Sequence, residues 1–187
     1  MFPTFSTQLL FGQLLIGLIN GSFYAMLSMG LAIIFGLMNV VNFAHGVQFM
    51  LGAFVAWLLL NSLGISYWGA LVLAPLIVAC LGLVMERLVL RPMQNLDHLY
   101  GLLATYSVAL VIEGLIRQQY GSTGLPYNSP LSGGINLGFM FMPWYRLWVV
   151  LFSLLTCLGT WLLIEHTRLG SYLRAANENP AMVEAFG

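Results

Sequence analysis

The sequence contains no lysine, only two cysteines and little charge of either sign, and each shortage excludes something. Six arginines are balanced by six acidic residues. That leaves neither a nucleic-acid footprint nor a polybasic segment for anionic lipid. Cys80 and Cys157 each lie inside an apolar run, where the plain reading is a small buried thiol rather than a disulfide or a metal ligand. No basic residue precedes Arg87, so the n-region of a cleavable signal peptide is missing. The first apolar segment also outruns a short h-region and is expected to stay in the protein. Charged residues make up 6% of the chain and hydrophobic ones 60%, far from the averages of soluble domains. This is the composition of a membrane protein.

What is present are apolar runs long enough to cross a bilayer. Residues 9–37 exceed the ~20 that a helix needs to span a ~30 Å core, so this segment is expected to tilt, kink or break, with Asn20, Gly21 and Ser22 as the obvious place. Gly17 and Gly21 form a GxxxG pair continued by Ala25, a face suited to close helix packing. A second run reaches Leu60 and ends in the turn Asn61-Ser-Leu-Gly64. Tyr67 and Trp68 suit a membrane interface, and residues 69–85 lead to Glu86, Arg87, Arg91 and Pro92. After a polar turn through Asp97 and His98 comes a span over 99–116. Its Glu113 sits four residues before Arg117, a favourable pairing order on a helix, which favours a structural role for this carboxylate. Gly121 to Trp144 reads as a loop long enough to be a binding surface, and 147–164 is the last span, closed by Glu165, His166 and Arg168. The expected fold is an all-α polytopic transmembrane helix bundle of about five spans or re-entrant segments.

One stretch carries polar groups that a lipid-facing helix would not. Between Gly30 and Gly52 stand Asn39, Asn42, His45 and Gln48, three residues apart. An unpaired polar group in hydrocarbon costs several kcal/mol, so these four are expected to face protein, a water-filled path or an interface. On one continuous helix this spacing gives a slowly spiralling stripe. Gly46 and Gly52 allow close packing beside it, or a backbone break where it lines a cavity. The four are the candidate translocation path.

Arginine placement gives an orientation. Arg87 with Arg91 and Arg168 with Arg174 flank two segment ends, against Arg117 and Arg146 at the other side, so the first two ends are expected in the cytoplasm. With five simple crossings the N-terminus then lies outside, and a re-entrant break between Gly30 and His45 would reverse it. In the tail, Asn179 suits an N-cap, Pro180 a first helical position and Gly187 a stop. They frame a helix of about two turns, with Met182, Val183 and Phe186 on one side and Glu184 apart. So short a helix is marginal alone and is expected to dock its apolar side on another protein. The competing reading is that it begins a further transmembrane passage.

The combination of Gly21-Ser-Phe-Tyr-Ala25, Asn42-Phe-Ala-His-Gly46 and Leu169-Gly-Ser-Tyr-Leu-Arg-Ala-Ala with Asn179-Pro-Ala resembles the membrane permease subunits of branched-chain amino-acid-type ABC importers, in the first-permease branch. The resemblance runs over nearly the whole chain. It implies one transmembrane permease domain over 1–187 with a cytoplasmic coupling loop at 168–187. In that loop Arg174, Ala175, Asn179, Pro180, Met182, Glu184, Phe186 and Gly187 would engage a cytoplasmic ATPase subunit. It implies as partners a second permease, two ATPase subunits and an extracytoplasmic substrate-binding protein, with a small-molecule substrate, a site in the bacterial inner membrane, and no cofactor or hydrolysis in this chain. Glu184-Ala-Phe-Gly187 is compressed relative to the general coupling pattern, and chains of this family continue past the coupling loop, so the expectation is an N-terminal part. Leucine-like amino acids, other amino acids, amides and urea are all substrates of this permease type.

Two other classes compete. Asn179-Pro-Ala181 is the tripeptide of aquaporin-like channels, which need two copies at membrane depth; here one copy lies among Arg174, Glu178 and Glu184, and Asn42-Phe-Ala is a weak second. An intramembrane hydrolase would use His45 or His98 as base and Ser28, Ser107 or Ser153 as nucleophile. It lacks a Gly-x-Ser-x-Gly turn, and the three histidines include no HExxH metal pair.

Overall fold

The computed structural model describes residues 7–38, 42–93, 96–138, 140–179 and 183. The order of elements is α1 (Thr7–Met38), α2 (His45–Leu63), α3 (Tyr67–Met93), α4 (His98–Tyr120), strands β1 (Gly134–Asn136) and β2 (Phe141–Pro143), α5 (Trp144–His166) and α6 (Arg168–Glu178). Helices α1 to α5 are each long and apolar enough to cross a membrane. The fold is therefore an all-α polytopic bundle. Its surface is dominated by side chains such as Leu14, Leu18, Val72, Leu83 and Leu154 that are more than half exposed. Lipid solvates such a surface, so the helices must associate through close packing and internal hydrogen bonds.

The chain forms two compact units, Val40–Asn128 and the remainder. In the first, α2 and α3 make an antiparallel hairpin. Its turn closes with a left-handed glycine cap: Gly64 takes φ +64°, its amide donates to the Leu60 carbonyl and that of Ile65 to Leu59. Leu59, Ala70 and Ala74 form the buried centre of this hairpin, with Val55, Ala56 and Ile65 against it. Alanine at 70 and 74 lets the two backbones approach. Aromatic rings gather beside that turn, with Phe54 and Trp57 of α2 against Tyr120 at the end of α4 and Tyr67 against Tyr127. Helix α3 is not uniform: Glu86–Leu90 is π-helical, and the Arg91 amide reaches back five residues to the Glu86 carbonyl. Pro92 follows at once and has no N–H to give to the carbonyl one turn earlier, which accounts for the loosened turn. Asp97 starts α4 by accepting the Leu99 amide at 3.0 Å.

In the second unit α1 packs on α5 and α6. The 32 residues of α1 form one helix through Asn20, Gly21 and Ser22, the place named for a kink or break as alternatives to tilting. At about 1.5 Å per residue it is much longer than the hydrocarbon core, so its excess length projects or tilts. Ser22 is buried and donates to the Ile19 carbonyl at 2.7 Å, a self-contained arrangement that leaves the helix intact. Between α4 and α5 the expected loop contains an antiparallel two-stranded hairpin pairing Ile135 with Met142, turned through Gly138 at φ +80°.

Several sequence expectations meet the structure directly. Glu113 and Arg117 pair at 2.7 Å on exposed positions, in agreement with the structural reading of that carboxylate. Cys80 is exposed rather than buried because it lies on the open face of α3, with Ile77 and Val84; Cys157 is half-buried. Among the described residues no group of three metal-ligating side chains occurs.

Candidate functional site

The polar stretch is divided by the end of one helix and the start of another. Asn39 lies outside the described residues. Asn42 precedes α2 and is buried, and its Oδ1 accepts the Ala44 amide at 2.9 Å. The Asn42 carbonyl receives the amide of His45 at 3.3 Å, and that of Ala44 receives Gln48 at 2.9 Å. Asn42 thus closes an Asx turn that leads into α2, whose N-cap position is Ala44. The single spiralling stripe becomes a turn residue followed by His45 and Gln48 on the first turns of a new helix.

Helix α4 secures this start. The amide of Phe43 donates to Thr105 Oγ1 at 3.2 Å, while the same hydroxyl donates to the Leu102 carbonyl at 3.0 Å. Thr105 is fully buried, so both of its hydrogen-bonding roles are used without water. The Phe43 ring meets Tyr106 edge-on at 6.2 Å. A helix N-terminus is held here by one amide oxygen and one hydroxyl from different parts of the chain.

Gln48 faces α3. Its Nε2 is 3.9 Å from Met85 Sδ, and a Cβ built on Gly82 would lie 3.6 Å from the same nitrogen. The carboxamide therefore meets a neighbouring helix rather than lipid. Met85 is the residue before the π-helical turn that carries Glu86 and Arg87. Asn42, His45 and Gln48 are accordingly gathered at the charged end of the hairpin. Gly52 continues the same face, where a Cβ on that glycine would lie 4.0 Å from Val78 Cγ2. Around Gly46, Gly17 and Gly21 an added Cβ meets no described atom within 4 Å. The buried face of α1 is that of Ile19 and Ser22, so the small-residue face of Gly17, Gly21 and Ala25 stays open among the described residues.

The tail begins with an abrupt bend. Thr167 is a single extended residue between α5 and α6, and its hydroxyl donates to the Leu163 carbonyl. Gly170 is buried against the Ile164 carbonyl, where any Cβ would overlap the oxygen. Arg174 turns back to α5, with Nη1 3.4 Å from the Ile164 carbonyl and 3.5 Å from Glu165 Oε2. Ala175 is exposed, and its carbonyl receives the Asn179 amide at 3.0 Å. The carbonyl of Asn179 in turn accepts the amide of Val183 at 3.3 Å, the bond expected of an N-cap residue. Pro180, Met182, Glu184, Phe186 and Gly187 lie outside the described residues.

Two of the three hydroxyls considered as nucleophiles donate to backbone carbonyls of their own helices. Ser107 donates to the Leu103 carbonyl at 2.8 Å, and the buried Ser153 to Val150 at 2.9 Å. Sequence reasoning named Asn42 and Gln48 and gave no partner to Thr105 or Glu165, which the structure joins to Phe43 and Arg174. Thr105 sits mid-run with nothing in its neighbourhood to signal a partner 62 residues away.

Comparison with known proteins places this geometry in context. The profile of a family described as "Branched-chain amino acid transport system / permease component" matches residues 13–187. The chain is 25% identical over 189 residues to the high-affinity branched-chain amino acid transport system permease protein BraD of Pseudomonas aeruginosa, covering 94% of this chain and 61% of that one. It is 26% identical over 190 residues to LivH of Escherichia coli K12, with the same coverage. A probable LivH of Methanocaldococcus jannaschii is 28% identical over 179 residues, covering 91% and 56%. The chain thus spans about three fifths of the length of these relatives, all of which are named as transport permeases. No solved structure matches it significantly.

Proposed function

Because this chain belongs to the branched-chain amino acid transport system permease family, we propose that it forms part of the membrane path of an ATP-driven importer for branched-chain or related amino acids. It is a multi-pass membrane protein, and the proposed location is the bacterial inner membrane. In this reading the chain hydrolyses nothing. A second permease completes the path, two cytoplasmic ATPases supply the energy, and an extracytoplasmic binding protein delivers the substrate to the surface that includes the β1–β2 hairpin.

The observation that carries the reading is the hydrogen-bonded turn that leads into α2. Asn42, His45 and Gln48 are held by protein contacts at the end of the hairpin bearing Glu86, Arg87 and Arg91, the end that arginine placement assigns to the cytoplasm. They would line the path near its inner mouth, where amide and imidazole groups suit a small zwitterion. Alternating access needs an element with two arrangements that the ATPases can bias through differential contacts. The bundle would be that element, and the segment after Asn179 would transmit the contacts, with Arg174, Ala175 and Asn179 leading into it and Pro180, Met182, Glu184, Phe186 and Gly187 as the residues proposed to engage the ATPase. Gly17, Gly21 and Gly46, around which an added Cβ meets no described atom, would receive helices of the remaining path.

The test is gentle purification of the tagged protein from its native membrane, followed by mass spectrometry of everything recovered. Two ATPase subunits and a second permease are expected. Recovery as a homo-oligomer alone would favour a passive channel and overturn the reading.

A further inference from the structure

We propose that Arg174 is a positioning residue: through Glu165 and the carbonyl end of α5 it fixes the angle at which α6 leaves the membrane-spanning helix. The last step of this inference, delivery of that angle to an ATPase, rests on the function proposed above. The elbow itself does not.

The last four carbonyls of a helix have no partner within it. At the end of α5, the Leu163 carbonyl is taken by the Thr167 hydroxyl and that of Ile164 by the Arg174 guanidinium. Gly170 lies over the Ile164 carbonyl too closely for any side chain. One extended residue joins the two helices, so these three contacts determine the bend. The guanidinium also sits at the negative end of the α5 dipole, beside the Glu165 carboxylate, where a cation is favoured.

The side chains of Arg174 and Glu165 are 44% and 55% exposed. An ion pair so exposed adds little to folding stability. It nevertheless bridges nine residues across the bend between α5 and α6, which makes it an orienting contact rather than a stabilising one. A guanidinium turned back on α5 acts on the coupling segment by aiming it. In a direct-contact role Arg174 would instead point away from its own membrane helix.

Two measurements separate these roles. With Cys80→Ser, spin labels at Cys157 on α5 and at Asn177→Cys on α6 report the elbow in the full chain in lipid nanodiscs. A narrow distance distribution is expected, broadened in Arg174→Ala and in Glu165→Ala and kept narrow in Arg174→Lys, whose ammonium can still donate to the Ile164 carbonyl and pair with Glu165. An unchanged distribution in Arg174→Ala overturns the elbow. In the assembled transporter, either alanine variant should raise the ATP hydrolysed per substrate moved several-fold while assembly is retained, and Arg174→Lys should stay near the natural ratio. Uncoupling by Arg174→Ala with the label distances as narrow as in the natural protein, and with Glu165→Ala normal, would mean that Arg174 touches the ATPase directly and would overturn the proposal. If no ATPase accompanies the chain, the proposed function fails, and the label distances still decide the elbow.

Discussion

The backbone amide of Phe43 donates to the Thr105 hydroxyl at 3.2 Å, tying the start of α2 to a point seven residues into α4. A lipid-embedded helix start has amides that water cannot reach, and each unmet one costs about 1–3 kcal/mol. Thr105 meets one of them and Asn42 Oδ1 another. The polar groups of this region therefore build the backbone junction from which His45 and Gln48 project.

Thr105→Val removes the hydroxyl and keeps the shape of a fully buried side chain. It should destabilise the protein by about 1–3 kcal/mol by leaving the Phe43 amide unpaired. Thr105→Ser should recover most of that. Thermal unfolding in detergent or nanodiscs checks the difference, and equal stability of the valine and serine variants would remove the hydrogen bond from the account.

Asn42→Leu removes the partner of the buried Ala44 amide and should cost about 1–3 kcal/mol, with reduced uptake. Asn42→Ser retains a side-chain oxygen for that amide and should stay near the natural protein in stability. His45→Leu separates the two roles, since it is expected to reduce transport while leaving assembly intact. Natural uptake kinetics in His45→Leu would take this residue off the path.

Gly170→Ala places a methyl group on the Ile164 carbonyl and must open the bend between α5 and α6. Overpacking of this kind commonly costs about 1–3 kcal/mol. The expected result is a lower yield of folded protein together with poor coupling. A folded Gly170→Ala protein with normal uptake would show that the bend tolerates change.

Burial, and secondarily the neighbouring Tyr67, raises the Tyr127 hydroxyl above the usual tyrosine range, and this hydroxyl has no hydrogen-bond partner among the described residues. The folded state holds the proton more tightly than the unfolded chain. The contribution is thus fully present below about pH 10 and is lost as pH rises through the raised value. Tyr127→Phe should flatten that alkaline loss and be neutral or stabilising by up to about 1 kcal/mol at neutral pH, because it removes a buried group without a partner. A pH-stability profile identical to the natural protein would contradict this.

Much of the fold was legible because a membrane simplifies the code. Apolar runs long enough to span, bounded by Gly64, by Glu86 to Pro92 and by Asp97, predict the five helices. The continuity of α1 through Gly21 was not legible, since a glycine permits a break without imposing one, and the Ser22 back-bond to Ile19 closes the helix there. The β1–β2 strands are three residues each, too short for an alternating pattern to emerge. In the candidate site, the three-residue spacing pointed to Asn42, His45 and Gln48, yet it concealed that Asn42 precedes the helix carrying the other two. The bend at Thr167 and the pairing of Arg174 with Glu165 depend on tertiary overlap at Gly170, which no local pattern announces.

We propose that this chain forms part of the moving path of an ATP-driven importer. The most direct measurement is uptake of radiolabelled leucine into proteoliposomes that contain the complex recovered from native membranes, with binding protein and ATP on their appropriate sides. Accumulation above the external concentration, dependent on ATP and reduced in His45→Leu, is expected. Equilibration of solute across the membrane without ATP, at the same rate in both proteins, would contradict it.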